Sequence, residues 1–336
     1  MNDLNTVSLP DFVKNAEIIF LKAQDSVPMN MRNSGIFRVE TVAQNTGNVR
    51  EYSEIDLEQY ASIKPEGEQH AQARVQQGYS KVARLYRVSK VIGITYEMRT
   101  QNKYTDVVAR LQNLGNLAPA RMELDMTHRI TFGTATSYTN ADGIVVDISV
   151  GDTLALFSAV HTVRGASTTY RNILANNPQL SRGSLEAMEK LVVEETINQF
   201  GQKKALPFDV LYTTDDPNTV NTARELLKAT AAVSAPNAGV PNVYQSKYKH
   251  VILPLLATDK DGNTDSTKAK YWGLASSQMS QAFLGIHEAP RMQSPAAGNN
   301  GEDFMTQNWN FSVSAGYFVC VVAAQFIKLS KGDGTV

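Results

Sequence analysis

The sequence predicts an α+β fold, and three observations lead there. Residues 36–42 and 81–98 carry β-type patterning, the second stretch through Val82, Leu85, Val88, Val91, Ile94 and Tyr96. Residues 103–132 place Val107, Leu111, Leu114, Ala118, Met122 and Met126 at three- and four-residue steps, the repeat of one helix face. From Gly151 onward short strands and capped helices follow one another, and residues 311–327 close the chain with a β-rich run. A chain of 336 residues suits two domains of roughly 150 each, or one with large insertions.

Composition removes several classes. Apolar residues make up 42% and charged residues 19%, with a formal charge of −1, so the signature of intrinsic disorder is absent. The single cysteine, Cys320, rules out an intramolecular disulfide framework and suits a reducing compartment. The first residues lack a basic and then apolar leader, so no secretory signal is expected. The longest apolar run, about residues 315–327, is shorter than the ~20 residues of a membrane span. Near-zero charge on a lightly charged chain favours association.

Taken in order, residues 1–35 read as an irregular arm with one short helix through Phe12, Ile18, Ile19 and Leu21, ordered only if something covers it. The two β stretches that follow are separated by a long polar interruption broken by Pro65 and Gly67. A structureless loop of that length inside a compact domain is improbable, so it has a function or leans on another chain. Its charges are segregated: Glu51, Glu54, Asp56, Glu58, Glu66 and Glu68 face only Lys64, then Arg74, Lys81, Arg84, Arg87 and Lys90 run without an acid. Either the two strands of a solvated hairpin neutralise each other, or a protruding ribbon pairs its charges with a neighbouring subunit, which would fix register.

The helix over 103–132 would be about 45 Å long at 1.5 Å per residue and needs a sheet or neighbouring subunits along it. Asn102 or Thr105 can cap it, and Pro119, after Gly115, is expected to kink or interrupt it. A strand follows at residues 143–148. Ser184 then opens a helix whose inner face is Leu185, Met188 and Val192, with Gly201 as its stop. Residues 207–212 read as a strand, and Asp216-Pro217 starts a helix with the stripe Val220, Ala223 and Leu227. Short strands at 251–256 and 270–274 flank a polar turn at 259–265.

Catalytic, cofactor and metal signatures are missing. There is no glycine-rich phosphate loop, and His70, His128, His161, His250 and His287 are scattered. Cys320 sits in an apolar run with no basic neighbour and reads as inert packing. Asp259, Asp261, Asn263 and Asp265 have calcium-like spacing, but the glycine stands at the fourth place and Lys270 where a bidentate glutamate belongs, so a hairpin turn is the reading. Without a basic block, any contact with DNA would be non-specific and confined to one face.

Two passages resemble a known family. Val88-Ser-Lys-Val-Ile-Gly-Ile-Thr-Tyr-Glu-Met, followed by residues 105–121, is similar to the strand and spine helix of the tailed-phage major capsid proteins, the Hong Kong ninety-seven type. The progression from Leu156-Phe-Ser-Ala-Val-His161 through Asn172-Ile-Leu, Leu180-Ser, Ser184-Leu-Glu-Ala and Gly201 to Ala223-Arg-Glu-Leu-Leu resembles the second half of that fold, most closely the phage Mu-type major head subunits. Together they cover roughly half the chain.

The resemblance implies an N-arm at 1–35, a P-domain strand at 36–44, an extended E-loop at 45–90 and a P-domain at 91–150 with its spine helix. It implies an A-domain at 151–282, a P-domain return at 283–318 and an A-domain strand and tail at 319–336. It also implies a non-enzymatic virion subunit, assembled in the host cytoplasm into hexamers and pentamers of an icosahedral shell. That shell would hold non-specifically packaged double-stranded DNA on its inner face, with scaffolding, portal and decoration proteins as further partners and no membrane or cofactor. Glu51, Glu54, Asp56, Glu58, Lys64, Arg74, Lys81, Arg84 and Arg87 would then be inter-subunit contacts. Some relatives crosslink a lysine of this loop to a neighbour's asparagine; Lys64 lies in the loop, with no acceptor aligned to it. A start directly at the arm suits either scaffolding supplied in trans or a chain already cleaved during maturation, and Met1 favours the first. An encapsulin-like shell with protein cargo shares the fold, and a soluble α/β enzyme with a dispersed site near His161 and Asp215-Asp216 is the alternative from another class.

Overall fold

In the computed structural model the described residues are 9–43, 47–57, 60–231, 241–295, 302–303 and 305–334. The fold is α+β. The chain begins with α1 (Leu9–Ser26) and α2 (Asn30–Ser34), then β1 (Arg38–Thr41), β2 (Val49–Leu57), β3 (Val75–Arg84) and β4 (Tyr86–Ile94). It continues through α3 (Tyr96–Thr100), α4 (Tyr104–Thr131), β5 (Ser137–Thr139), β6 (Val145–Asp147), β7 (His161–Val163) and β8 (Ala166–Tyr170). Then come α5 (Arg182–Glu194), β9 (Val210–Thr213), α6 (Pro217–Lys228), β10 (Lys249–Ile252), β11 (Trp272–Ala275), β12 (Ala282–Gln293), β13 (Trp309–Val321) and β14 (Ile327–Ser330).

One four-stranded sheet has the order β1-β12-β13-β4, with β1 parallel to β12 and the other pairs antiparallel. Strand β13 divides its side chains by parity, as a pleat requires. Trp309, Phe311, Val313, Ala315 and Tyr317 join α4 in the main core, while Phe318, Cys320 and Val322 form a separate cluster on the opposite face. On α4 the predicted face is the buried one, extended by Ile130.

Three expectations about this half need correction. Of the kink or interruption expected at Pro119, the interruption is absent, and the helix continues through it. The missing backbone bond, worth ~3 kcal/mol in a helix interior, is offset by the burial of Leu114, Ala118, Pro119 and Met122 on both sides of it. Neither Asn102 nor Thr105 caps the helix: Lys103 holds that place without a side-chain bond, and Asn102 makes the turn from α3 at φ 53°. The arm is an 18-residue helix, and its inner face is Phe12, Ala16, Phe20 and Ala23, with Ile18 and Leu21 about half exposed. Gly115 sets this crossing, because a Cβ there would stand 2.7 Å from the Phe20 carbonyl oxygen and 2.8 Å from the Ala23 methyl. The cover that orders α1 is the chain's own spine.

The second sheet, β10-β9-β11-β14, pairs β10 and β9 in parallel through the α6 crossover. Val210 and Tyr212 turn toward the main core, whereas Leu211 packs with Leu185, Met188 and Leu226 under α5 and α6. The α6 cap is as expected, with Asp216 accepting from the Thr219 backbone N–H. On α5 the cap is Ser181 in a capping box with Ser184, and the helix stops at Glu194, short of Gly201. The expected strand at 251–256 is β10 followed by a 3₁₀ turn at Pro254–Ala257, because Pro254 cannot donate to a ladder. Strand β12 had no clear signal: register shifts at Ile286/Glu288 and Glu288/Arg291 interrupt its period, and Pro290 lies within it.

Candidate functional site

The ribbon is β2 paired with β3, from Val49 opposite Arg84 to Leu57 opposite Val75. Its base sits on the far face of β13, where Tyr52 stacks on Phe283 at 4.4 Å and Ala83 packs with Phe318, Cys320 and Val322. Burial there pushes the Cys320 thiol up to about 11, which leaves it protonated and inert.

The middle of the ribbon is held by the segment around β7, β8 and the loop after α5. Glycines make the approach possible. A Cβ on Gly78 would lie 2.8 Å from both Gln199 Nε2 and Glu54 Oε2, and one on Gly165 would lie 2.3 Å from the Gln199 carbonyl oxygen. Gln199 Nε2 donates to Glu54 Oε2 at 2.6 Å, Lys204 pairs with Asp56 at 2.9 Å, and the Arg164 guanidinium donates to the Gly78 carbonyl at 3.2 Å. Tyr79 and Thr162 share a hydroxyl–hydroxyl bond at 2.9 Å. Burial, reinforced by the Asp56 charge and opposed by Lys204, raises the Glu54 carboxyl to about 7.

Beneath this junction lies His161, which is fully buried. Its Nδ1 lies 2.7 Å from Asp152 Oδ2, its Nε2 3.2 Å from the Leu156 carbonyl oxygen, and its ring stacks on Tyr170 at 5.0 Å. Both ring nitrogens are thus engaged by groups of the chain itself. Asp216 is likewise committed to its cap, accepting from the backbone and hydroxyl of Thr219. The Asp259 carboxylate accepts from the backbone N–H groups of Asp261 and Asn263, the bonding of a closed turn. Among the described residues no group of three His, Cys, Asp or Glu is placed to hold a metal ion, and no helix is long and apolar enough to cross a membrane.

The distal part of the ribbon is different. Ile55, Leu57, Tyr60, Ile63 and Val75 are 63%, 63%, 64%, 96% and 63% exposed. The tip carries Lys64, Glu66 and Glu68, all exposed, around a turn with Gly67 at φ 82°.

The charged residues singled out from the sequence therefore separate. Glu54 and Asp56 are held by Gln199 and Lys204. Lys81 pairs with Asp147 at 2.6 Å and Arg87 with Glu288 at 3.0 Å. Arg74 lies over the Phe200 ring at 5.8 Å. Glu51, Lys64 and Arg84 are exposed without an ion pair among the described residues, and Glu58 lies outside those residues. Among the described residues, none of Glu51, Glu54, Asp56, Lys81 or Arg84 forms an ion pair across the ribbon. Sequence reasoning missed Gln199, Lys204, Arg164 and Thr162 as partners of the ribbon. Glu54 and Gln199 stand 145 positions apart, so no local spacing connects them.

No family model matches the chain, and no curated protein matches it in sequence. Solved structures do align with it. A virus-like particle protein from Pyrococcus furiosus aligns at 12% identity over 94% of this chain and 97% of its own, with a TM-score of 0.47. A protein of Gordonia phage Cozz aligns at 12% identity over 88% and 84%, with a TM-score of 0.48. The capsid of Ralstonia phage GP4 aligns at 12% identity over 89% and 88%, with a TM-score of 0.47.

Proposed function

We propose that the chain is a shell subunit, a phage-type major capsid protein that assembles with copies of itself. One observation carries this reading: the distal ribbon leaves Ile55, Leu57 and Val75 on its two strands, and Tyr60 and Ile63 in the segment joining them, more than 60% exposed. A two-stranded ribbon is marginal in water, and a contiguous apolar strip on a projecting element marks a surface that another chain covers. The exposed Ile18 and Leu21 on α1 form a second, smaller strip of the same kind.

In this reading the ribbon is an E-loop lying on an adjacent subunit of a hexamer or pentamer, and Glu51, Lys64 and Arg84 are its inter-subunit charges. Glu54, Asp56 and Lys81, which the sequence also suggested for that role, have partners within the chain in Gln199, Lys204 and Asp147, and Arg87 on β4 pairs with Glu288. The virion, packaged double-stranded DNA, and scaffolding, portal and decoration proteins belong to the same proposal.

Electron microscopy and sedimentation of the purified protein test it. Closed shells are expected under some assembly condition. A monomer or dimer at high concentration under every condition would overturn the reading. The ratio of absorbance at 260 and 280 nm in shells isolated from cells separates a DNA container from a protein-cargo compartment.

A further inference from the structure

Between the ribbon base, α4 and the β5–β6 hairpin lies a cleft of about 730 Å3. Lys81, Arg84, Arg87, Arg121 and Arg129 line it, against only Asp125, Asp142 and Asp147. The acids are already served from within the chain. Asp125 accepts from Arg121 Nε at 3.0 Å and from the Tyr86 and Tyr317 hydroxyls at 3.0 and 2.6 Å. Asp142 takes Arg121 Nη1 at 3.0 Å, and Asp147 takes Lys81. Arg87 is drawn off by Glu288.

That leaves Arg129. It is 8% exposed, its hydrogen bond goes to the main-chain carbonyl of Asp147, and no carboxylate lies within ion-pair distance of it among the described residues. A guanidinium withdrawn from water without a counter-ion is costly, and its flat fork is matched by a carboxylate. Arg84, exposed at the rim, is the second cation without an ion pair. With only these two charges in surplus and three carboxylates already in the wall, the cleft suits a carboxylate better than a multiply charged phosphate.

We propose that this cleft is a carboxylate-binding site, filled by the Glu66-Gly67-Glu68 turn of a second copy of the chain. This assignment rests on the shell reading for the presence of that copy. The turn presents two exposed carboxylates beside Ile63, and the cleft mouth carries the exposed apolar side chains of Val82, Ile144 and Val145 to receive it. The chain's own turn cannot serve. Ten residues of β3 separate it from Arg84, about 30 Å at ~3.3 Å per residue.

The test is titration of the dispersed, full-length protein with an end-blocked peptide of residues 60–73. Saturable binding is expected, weakened by salt and reduced about tenfold by Glu66→Gln with Glu68→Gln in the peptide or by Arg129→Gln in the protein. Arg84→Ser, on the exposed rim, is expected to cost a few-fold without touching the fold. Absence of binding, or equal binding by the doubly substituted peptide, would overturn the assignment without any assumption about variant folding. Displacement by an equal concentration of inorganic phosphate would make it a phosphate site instead. Shells without peptide binding remove this site and leave the shell reading standing; peptide binding without shells does the reverse.

Discussion

Along the same ribbon, residues near Gly78 are fitted into their own subunit, whereas Ile55, Leu57, Tyr60, Ile63 and Val75 stand exposed. In the proximal half the backbones approach so closely that a single methyl on Gly78 or Gly165 would collide with Gln199, and Glu54 and Asp56 have in-chain partners. In the distal half apolar side chains stand in solvent and the tip acids have no partner among the described residues. The difference teaches that a ribbon can be anchored by polar complementarity at one end and still offer hydrophobic area at the other. In the proposed assembly the anchor would fix direction and the free end would supply association energy, at roughly 25 cal/mol per Å2 of apolar surface removed from water.

The largest expected effect strikes the free half. Ile55→Asp combined with Ile63→Asp should abolish shell formation in electron micrographs, while denaturant unfolding of the dispersed subunit changes by no more than ~0.5 kcal/mol. Loss of subunit stability of several kcal/mol would show that the distal strip belongs to the monomer's core.

The anchored half should respond to pH. Glu54 is raised from 4.5 to about 7 in the folded subunit, so the native state binds the extra proton. Stability from this group is full below pH 4.5, falls as pH rises toward 7, and stays low above it, by on the order of 3 kcal/mol. Glu54→Gln should remove that slope and stabilise the subunit at pH 8, read as the difference between wild-type and variant unfolding curves. A wild-type slope identical to that of the variant would contradict it. Gly78→Val, which crowds the same contact, should cost about 2 kcal/mol by overpacking and raise amide exchange over residues 76–84. At the base of the ribbon, Arg84→Glu should change subunit stability by less than ~0.5 kcal/mol while slowing assembly most at low salt.

The sequence discloses the parts of this molecule that are decided locally. Val107 to Met126 at helical steps identify α4, because one face meets a sheet; Asp216-Pro217 announces α6, because cap and proline act within one turn. The face of α1 is hidden because two of its four buried residues are alanines, one of which, Ala23, lies against Gly115 of another helix. Strand β12 is hidden because its bulges break the period that a strand is recognised by. The charge segregation of the ribbon is visible, but which charges are spent inside the subunit depends on Gln199 and Lys204, folded in from more than a hundred residues away.

The central claim is that proximal and distal ribbon differ in what completes them. Hydrogen–deuterium exchange of the dispersed subunit and of assembled particles, compared at residues 76–84 and at 55–57 with 60–75, tests it most directly. The account predicts that the proximal amides are protected in both states and the distal segment becomes protected only on assembly. Distal protection already complete in the dispersed subunit, or absent from assembled particles, would contradict it.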